Sequence, residues 1–361
     1  MSKYQDKARG MLVGLAVGDA LGAPVEFGYD SESIVALGDK IEHYYDHRLS
    51  AGEWTDDTSM ALCIADSLIE KGGYDSYDIM DRFTRWLEEG YRTPDNLPAG
   101  DVGYQTRGAI DGFKLYPYFS IYDPKTTSAG NGPIMRLAPV VIANTFPDKK
   151  YPTLKDGYKQ GGLTVEPEEE GEYISQEDIE PTLDMAILSC RETHNCIAAE
   201  ATTALFATTL YCALHGLPKN NIATYCDRWM HGEEYNQFWI ENIDNLVGRA
   251  LNEDCSDLRD LGGYIVDTFA IALWGLMHFD NFKDGMIAVI RLGGDTDTNA
   301  ACYGQLAGAY YGYKSIPEDW RKNVCMSDEL VEIADKLLKM PECPILQTRF
   351  EDNKYFKELI K

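Results

Sequence analysis

Two short stretches hold acids and hydroxyls densely enough to suggest chemistry. "LGGDTDTNAA", residues 292–301, sets Asp295 and Asp297 two apart, with Thr296 and Thr298 beside them and Gly293 and Gly294 in front. "EWTDDTSMAL", residues 53–62, groups Thr55, Asp56, Asp57 and Thr58. Each stands at the mouth of an apolar segment. Taken singly, either is accounted for by helix capping, because Asp and Thr oxygens accept the free N–H groups of a first turn and meet the positive end of the helix dipole. Taken together, Asp56, Asp57, Asp295 and Asp297 are four carboxylates whose convergence is strongly repulsive without divalent cations. Two Mg²⁺ or Mn²⁺ ions would balance four charges, and carboxylates with threonine hydroxyls are the all-oxygen ligands such hard cations take. A pair of metals about 4 Å apart is a familiar device for clamping and polarising oxygens. Spacing alone does not establish convergence.

Two known acidic loops offer comparisons. Asp295, Asp297 and Asn299 occupy the first, third and fifth positions of a calcium-binding EF-hand loop, but Ala300 replaces the sixth-position Gly and Leu306 the twelfth-position Glu, so that reading fails. The Asp-x-Asp-x-Thr pattern also resembles the nucleophile motif of aspartate-based phosphatases. Here Gly293 and Gly294 separate it from the apolar "MIAVIRL", and no room remains after it for an α/β domain.

Helices must position these clusters. Gly10, Gly14, Gly18 and Gly22 fall four apart, one small-residue face of a helix over 5–21. Each such Gly costs about 1 kcal/mol of helix propensity against Ala, so close packing must compensate, as in a tightly packed central helix. Periodicity also predicts helices over 58–70 (stopped by Gly72 and Gly73), 77–89, 262–279 and 299–312, with one or two more over 183–215. Residues 91–132, rich in Gly, Pro, Tyr and Thr, read as long ordered loops. Residues 165–184 hold nine acids and no Lys or Arg, a solvated insertion or a docking site for a basic partner. Strand signals are few, and the fold reads as mainly α.

The chain has 361 residues and a formal net charge of −26, which disfavours nucleic acid and anionic membranes as partners. Nine cysteines without a Cys-x-x-Cys pair read as reduced core thiols. The N-terminal apolar stretch is interrupted by Asp19 and lacks a cleavage site, and no window reaches the roughly 20 apolar residues of a membrane span. The expected location is the cytoplasm.

At the two acidic clusters the sequence resembles the ADP-ribosylglycohydrolase family. Seven pieces occur in the family's order: "GMLVGLAVGDALGAPVEF" (10–27), "WTDDTSMAL" (54–62), "GDVGYQTRGAI" (100–110), "SAGNGPIMRLAPV" (128–140), "CRETHNCIAAEA" (190–201), "GGYIVDTFAIALW" (262–274) and "LGGDTDTNAACYGQLAGAYYG" (292–312). The resemblance implies an all-α fold, a compact single-domain orthogonal helical bundle over 1–361 with an acidic insertion at about 147–183. It implies a binuclear Mg²⁺ or Mn²⁺ centre held by Thr55, Asp56, Asp57, Asp295, Asp297 and Thr298. Glu26 matches a glutamate beside the metals, and Asp101 an acid facing the scissile ribose. Asp57, Asp297, Asp101 and Glu26 are the expected catalytic set.

By the same match, Ser128, Gly130, Asn131, Gly132 and Met135 belong to a loop around the diphosphate and proximal ribose, where glycine lets backbone N–H groups approach phosphate oxygens. Pro133 follows where the family commonly has a small residue, and removes one donor. Met135 and Arg136 are expected to begin the next helix, with Arg136 structural. His194 would hydrogen-bond the ligand, Tyr264 would stack on the adenine or pack in the core, and Asp267 would be a structural acid. The implied reaction is hydrolysis of the bond between ADP-ribose and an acceptor on a protein or small molecule. "GDVG" looks closer to the arginine-directed branch, so ADP-ribosyl-arginine is the expected substrate, with ADP-ribosyl-serine or a small metabolite as alternatives. A non-catalytic ADP-ribose-binding or immunity protein, and a phosphatase using the same metals, are the other readings. A monomer is expected.

Overall fold

The computed structural model describes residues 1–45, 47–100, 102–117, 129–146, 158–160, 163–165, 174, 176–231 and 246–349. In chain order the helices begin with α1 (Lys3–Gly22), α2 (Ser31–Ala36), α3 (Asp56–Lys71), α4 (Ser76–Glu89), α5 (Tyr104–Leu115), α6 (Gly132–Met135), α7 (Ala138–Ala143) and α8 (Gln176–Arg191). They continue as α9 (Ile197–His215), α10 (Lys219–His231), α11 (Leu246–Leu251), α12 (Ile265–His278), α13 (Phe282–Ile290), α14 (Thr296–Tyr311), α15 (Glu318–Asn323) and α16 (Ser327–Leu338). Among the described residues, strand is confined to two short pairs. β1 (Tyr74–Asp75) lies parallel to β4 (Ile345–Gln347), and β2 (Tyr158–Gln160) antiparallel to β3 (Leu163–Val165). The fold is all-α.

The glycine stripe of α1 explains the architecture. Gly10, Gly14, Gly18 and Gly22 face Gly308, Gly304, Ala300 and Thr296 of α14, so the two helices run antiparallel in near backbone contact. A Cβ on any of the four would land on a backbone carbonyl of α14, and a Cβ on Gly304 or Gly308 would land on α1 in return. Only glycine permits that approach, which offsets its weak helix propensity. The pair also forms the centre of one contiguous core: Met11, Leu12, Leu15, Ala300, Tyr303 and Leu306 are fully buried. α3, α9, α12, α13 and α16 pack around it.

Several sequence expectations need correction. Residues 91–132 are not loop throughout, because α5 occupies 104–115; its two glycines, Gly108 and Gly112, obscure a helix that buries only Thr106 and Ile110. α8 starts at Gln176, inside the acidic stretch, with Pro181 accommodated within it. Most of the expected 147–183 insertion lies outside the described residues. The segment 183–215 is two helices, broken at 192–196. Lys3–Val25 and Ile197–His215 are, by length and composition, apolar enough to cross a membrane, contrary to the sequence reading; their apolar windows are 89% and 94% buried inside the protein. All nine cysteines are free thiols, seven of them buried.

Candidate active site

The α1–α14 pairing carries the two acidic clusters to one place. α14 begins where α1 ends: the Thr296 hydroxyl donates to the Gly22 carbonyl at 2.8 Å. Glu26 follows α1 within a few residues, and Asp295 and Asp297 stand at the start of α14. α3 brings Asp56 and Asp57 at its own first turn. Ligand-capable oxygens of Asp19, Asp57 and Asp297 lie within 4.8 Å of one another, as do those of Glu26, Asp295 and Asp297. Asp297 belongs to both groups.

Helix capping does not account for this. Neither N-cap residue, Thr55 of α3 or Asp295 of α14, makes a side-chain capping hydrogen bond. The cap of α3 comes from elsewhere. Asp19, fully buried in α1, accepts from Thr55 N (2.9 Å) and Thr55 Oγ1 (2.9 Å) through one oxygen, and from Thr58 N (3.0 Å) and Thr58 Oγ1 (2.7 Å) through the other. Both Asp19 oxygens are thereby engaged, which makes it the anchor of the cluster rather than an open ligand. Sequence reasoning treated Asp19 only as an interruption. Its signal was a lone acid in a buried, glycine-striped run, where a carboxylate survives only with several donors.

Asp295 is presented differently. Gly293 and Gly294 turn into α14 with φ of +78° and +76°, and a Cβ on Gly294 would strike the backbone of Leu261. Asp295 N donates to the Leu261 carbonyl at 3.0 Å. The side-chain amide of Asn131 donates to Asp295 Oδ2 (2.9 Å) and to Thr268 Oγ1 (3.0 Å). Behind this turn, Asp260 accepts from the backbone and hydroxyl of Ser31 and donates its own N–H to Leu292. Phe27, with φ of +45°, donates its N–H to the Gly294 carbonyl, fixing the chain beside Glu26. Phe27 is 63% exposed and lines the cleft. Arg48 donates to Glu26 Oε2.

The electrostatics call for a cation. Burial holds the Asp57 carboxyl well above the usual carboxylate range, reinforced by the negative charges of Asp19, Asp56, Asp295 and Glu26. Burial does the same to Asp297, with Glu26, Asp57, Asp295 and Asp19 adding to it. Asp19 is raised by burial against the opposing hydrogen bonds of Thr58 and Thr55. Asp57 Oδ1 is buried with no hydrogen-bond donor among the described residues. An orphaned buried carboxylate oxygen on a residue grouped with Asp19 and Asp297 suits a hard cation as partner. Asp56 and Thr298 line the same cleft, and Thr55 Oγ1 lies 3.3 Å from Asp57 Oδ2 and 3.4 Å from Asp297 Oδ2.

Beside the acids the cavity, of 400 Å³, runs along the Gly130–Gly132 loop, Met135 and His194. The loop is pinned to the chain before α12. Gly130 bridges Tyr264, Asn131 N donates to Gly263 O (3.0 Å), and Ile265 N donates to Ala129 O (3.0 Å). Gly130 N donates to Gln105 Oε1 at 3.1 Å. The expected phosphate-facing N–H groups are therefore partly spent inside the protein. With Pro133 lacking a donor, Gly132 N–H is the loop donor with no hydrogen-bond partner among the described residues. The glycines serve His194 instead: a Cβ on Gly130 would sit 2.9 Å from Nε2, and one on Gly132 2.8 Å from Cε1.

The buried His194 ring is neutral, its pKa pushed down to about 3 by burial and by the charge of Arg136. The Thr193 hydroxyl accepts from Arg136 Nη2 (2.7 Å) and contacts His194 Nδ1 (2.8 Å). That contact fixes the ring orientation and leaves Nε2 on the side of the loop. Arg136 is structural as expected, fully buried over the Phe83 ring, but Met135 ends α6 instead of starting a helix. Tyr264 is not among the residues lining the cleft. Asp267 pairs with Arg249 at 2.6 Å. Asp101 and Ser128 lie outside the described residues.

The model of the ADP-ribosylglycohydrolase family matches residues 1–344 of this chain. The chain belongs to the ADP-ribosylglycohydrolase family. It is therefore a hydrolase of ADP-ribose glycosidic bonds. Among relatives of this ADP-ribosylglycohydrolase, the ADP-ribosylarginine hydrolase Tri1 of Pseudomonas putida (strain GB-1) is 32% identical over 340 residues, covering 92% of this chain and 78% of the relative. The ADP-ribosyl-[dinitrogen reductase] glycohydrolase of Rhodospirillum rubrum is 29% identical, covering 90% and 92%. A solved ADP-ribosylglycohydrolase-related protein complex aligns with a TM-score of 0.70 at 32% identity, over 94% of this chain and 99% of that one.

Proposed function

We propose that this cleft hydrolyses ADP-ribosyl-arginine on proteins with two divalent cations, Mg²⁺ or Mn²⁺. The observation that carries the reading is the meeting of the α3 and α14 clusters with Glu26, two acid groups sharing Asp297. Asp56, Asp57, Asp295 and Asp297, with Thr55 and Thr298, would hold the cations. Bound there, such cations supply charge neutralisation and polarise substrate hydroxyls and water. Asp19 is the residue that holds Thr55 and Thr58 in register.

The chain's own groups supply the rest. The Gly130–Gly132 loop leaves room for a diphosphate, with Gly132 N–H as a donor to its oxygens and His194 Nε2 on the same side of the loop to hydrogen-bond the ligand. Departure of the acceptor leaves positive charge on the ribose ring, which the carboxylate-rich wall stabilises. Glu26, or Asp101, would move the proton. The Pseudomonas relative's name supports arginine as acceptor, as does the "GDVG" motif at 100–103.

The test is mass-spectrometric detection of free ADP-ribose from ADP-ribosyl-arginine and ADP-ribosyl-serine peptides, with Mg²⁺, with Mn²⁺ and with EDTA. Release from the arginine peptide, lost in EDTA, is expected. Release from the serine peptide alone overturns the acceptor, and full release in EDTA overturns the metals.

A further inference from the structure

The match to the family model ends at residue 344, yet the chain just beyond it is built into the protein. Tyr74 N donates to the Pro344 carbonyl at 2.8 Å, β4 pairs with β1, and Gln347 Nε2 donates to Asp75 Oδ1 at 3.2 Å. This strap delivers Arg349 to the interior. The Arg349 side chain, 2% exposed, donates from Nε to Glu192 Oε2 at 3.0 Å, and the Glu192 side chain is wholly buried. Glu192 Oε1 accepts from the Tyr74 hydroxyl (2.9 Å) and from Ser76 Oγ. A buried ion pair is tolerable only when further hydrogen bonds satisfy its remaining oxygens, and here both carboxylate oxygens have donors.

Arg349 touches two segments that build the cleft. Its guanidinium lies 5.0 Å from the centre of the Phe113 ring, in the last turn of α5. The first turn of α5 carries Gln105, whose Oε1 accepts from Gly130 N. Glu192, the other contact of Arg349, stands two residues before His194, in the turn that His194 N closes on the Cys190 carbonyl at 2.8 Å. Gln105 and His194 meet at Gly130, where a Cβ would sit 2.5 Å from Gln105 Oε1 and 2.9 Å from His194 Nε2. Two side chains thus converge on one loop residue, and one guanidinium contacts both segments that carry them. α5 itself buries only Thr106 and Ile110, so a contact at its far end matters to where it lies.

We propose that Arg349 is a positioning residue for the ADP-ribose cleft, setting Gln105 and His194 against Gly130 by clamping α5 to the turn after α8. This rests on the reading that ADP-ribose lies along the Gly130–Gly132 loop. Arginine suits the task because its planar face packs on an aromatic ring while its edge donates to a carboxylate. Lysine would supply the charge without the plane.

The test compares the full chain with Arg349→Met, Arg349→Lys and Phe113→Leu. Each folded protein is read by the Gly130 and His194 amide signals of ¹⁵N-labelled material, by calorimetric titration with ADP-ribose, and by its melting temperature. Arg349→Met should shift both amides and weaken ADP-ribose binding about tenfold. Arg349→Lys should recover the melting temperature and only part of the affinity. Phe113→Leu leaves the ion pair whole and decides the matter if Arg349→Met does not fold; it should shift the Gly130 amide and weaken binding about threefold. Wild-type amide signals and affinity in Phe113→Leu and in every Arg349 variant that folds overturn the proposal, since a purely structural pair would lower the melting temperature alone. A wild-type chain that does not bind ADP-ribose overturns the reading of the cleft, and the amide signals then decide the role of Arg349.

Discussion

The two acidic clusters look alike in sequence and are built in opposite ways. Each puts its aspartates at the first turn of a helix, yet neither N-cap side chain caps its helix. At α3 the capping is delegated to a third acid, Asp19, reaching across from α1. At α14 the backbone does the work, through two left-handed glycines, with Asn131 holding one carboxylate from outside. Freed from capping, the aspartates can face each other. The acidic centre thus rests on one cluster fixed by a buried charge and one fixed by chain geometry, and the two should fail differently.

The largest expected effect is on turnover. Asp57→Ala and Asp297→Ala should each lower kcat/KM by about a thousandfold or more, the scale at which charge-stabilising groups matter. Because each removes a carboxylate crowded by others, the melting temperature measured in EDTA should hold or rise. A fall of many degrees in EDTA would mean the acids are structural.

Asp19→Ala should lose both properties. It strands four donors at the start of α3, each buried loss being worth about 1–3 kcal/mol, so chemical denaturation should show several kcal/mol of destabilisation together with lost activity. Asn131→Ala should separate them, with stability lower by about 1–2 kcal/mol and cation affinity weaker by about 10–100-fold, read by metal titration. Equal behaviour of the two variants would erase the contrast between the clusters.

Gly294→Ala tests the glycine-built side alone. A left-handed φ and the Leu261 backbone both oppose a methyl group, so roughly 1–3 kcal/mol of stability should go, seen as a lower denaturation midpoint. The smallest effect belongs to a control far from both clusters. His215, stacked on Tyr211, donates from Nδ1 to the Tyr211 carbonyl, and burial pushes its pKa down to about 4. A depressed histidine favours the fold while neutral. Its contribution is therefore complete above about pH 6.5 and is lost as the pH falls toward 4. Melting curves of the wild type and His215→Phe should converge over that window, and a constant gap would contradict it.

Much of this was legible in the chain itself. The glycine spacing at 10–22 announced a close helix contact because only one packing can justify four such residues. The two acidic clusters suggested a single centre because four carboxylates brought together call for a shared counter-charge, and the structure does bring oxygens of Asp57, Asp295 and Asp297 together. What stayed hidden depended on contacts between distant segments. Asp19 is a single letter whose four donors come from residues 55 and 58. Asn131 was read as facing a ligand, whereas its amide holds Asp295. The Gly130–Gly132 loop was read through its N–H groups, whereas the fold spends two of them and uses the absent side chains to seat His194. α5 was missed because two glycines interrupt a helix that buries little.

The α1–α14 contact also sets an order of events during synthesis. Gly22 and the Thr296 hydroxyl that meets it are 274 residues apart. α1 must therefore wait, with its glycine face uncovered, until α14 has been made. Such long-range closure is slow and exposes intermediates to association. No N-terminal fragment can hold the acidic centre, and a chain truncated before residue 311 would emerge as a client for chaperones rather than a smaller enzyme.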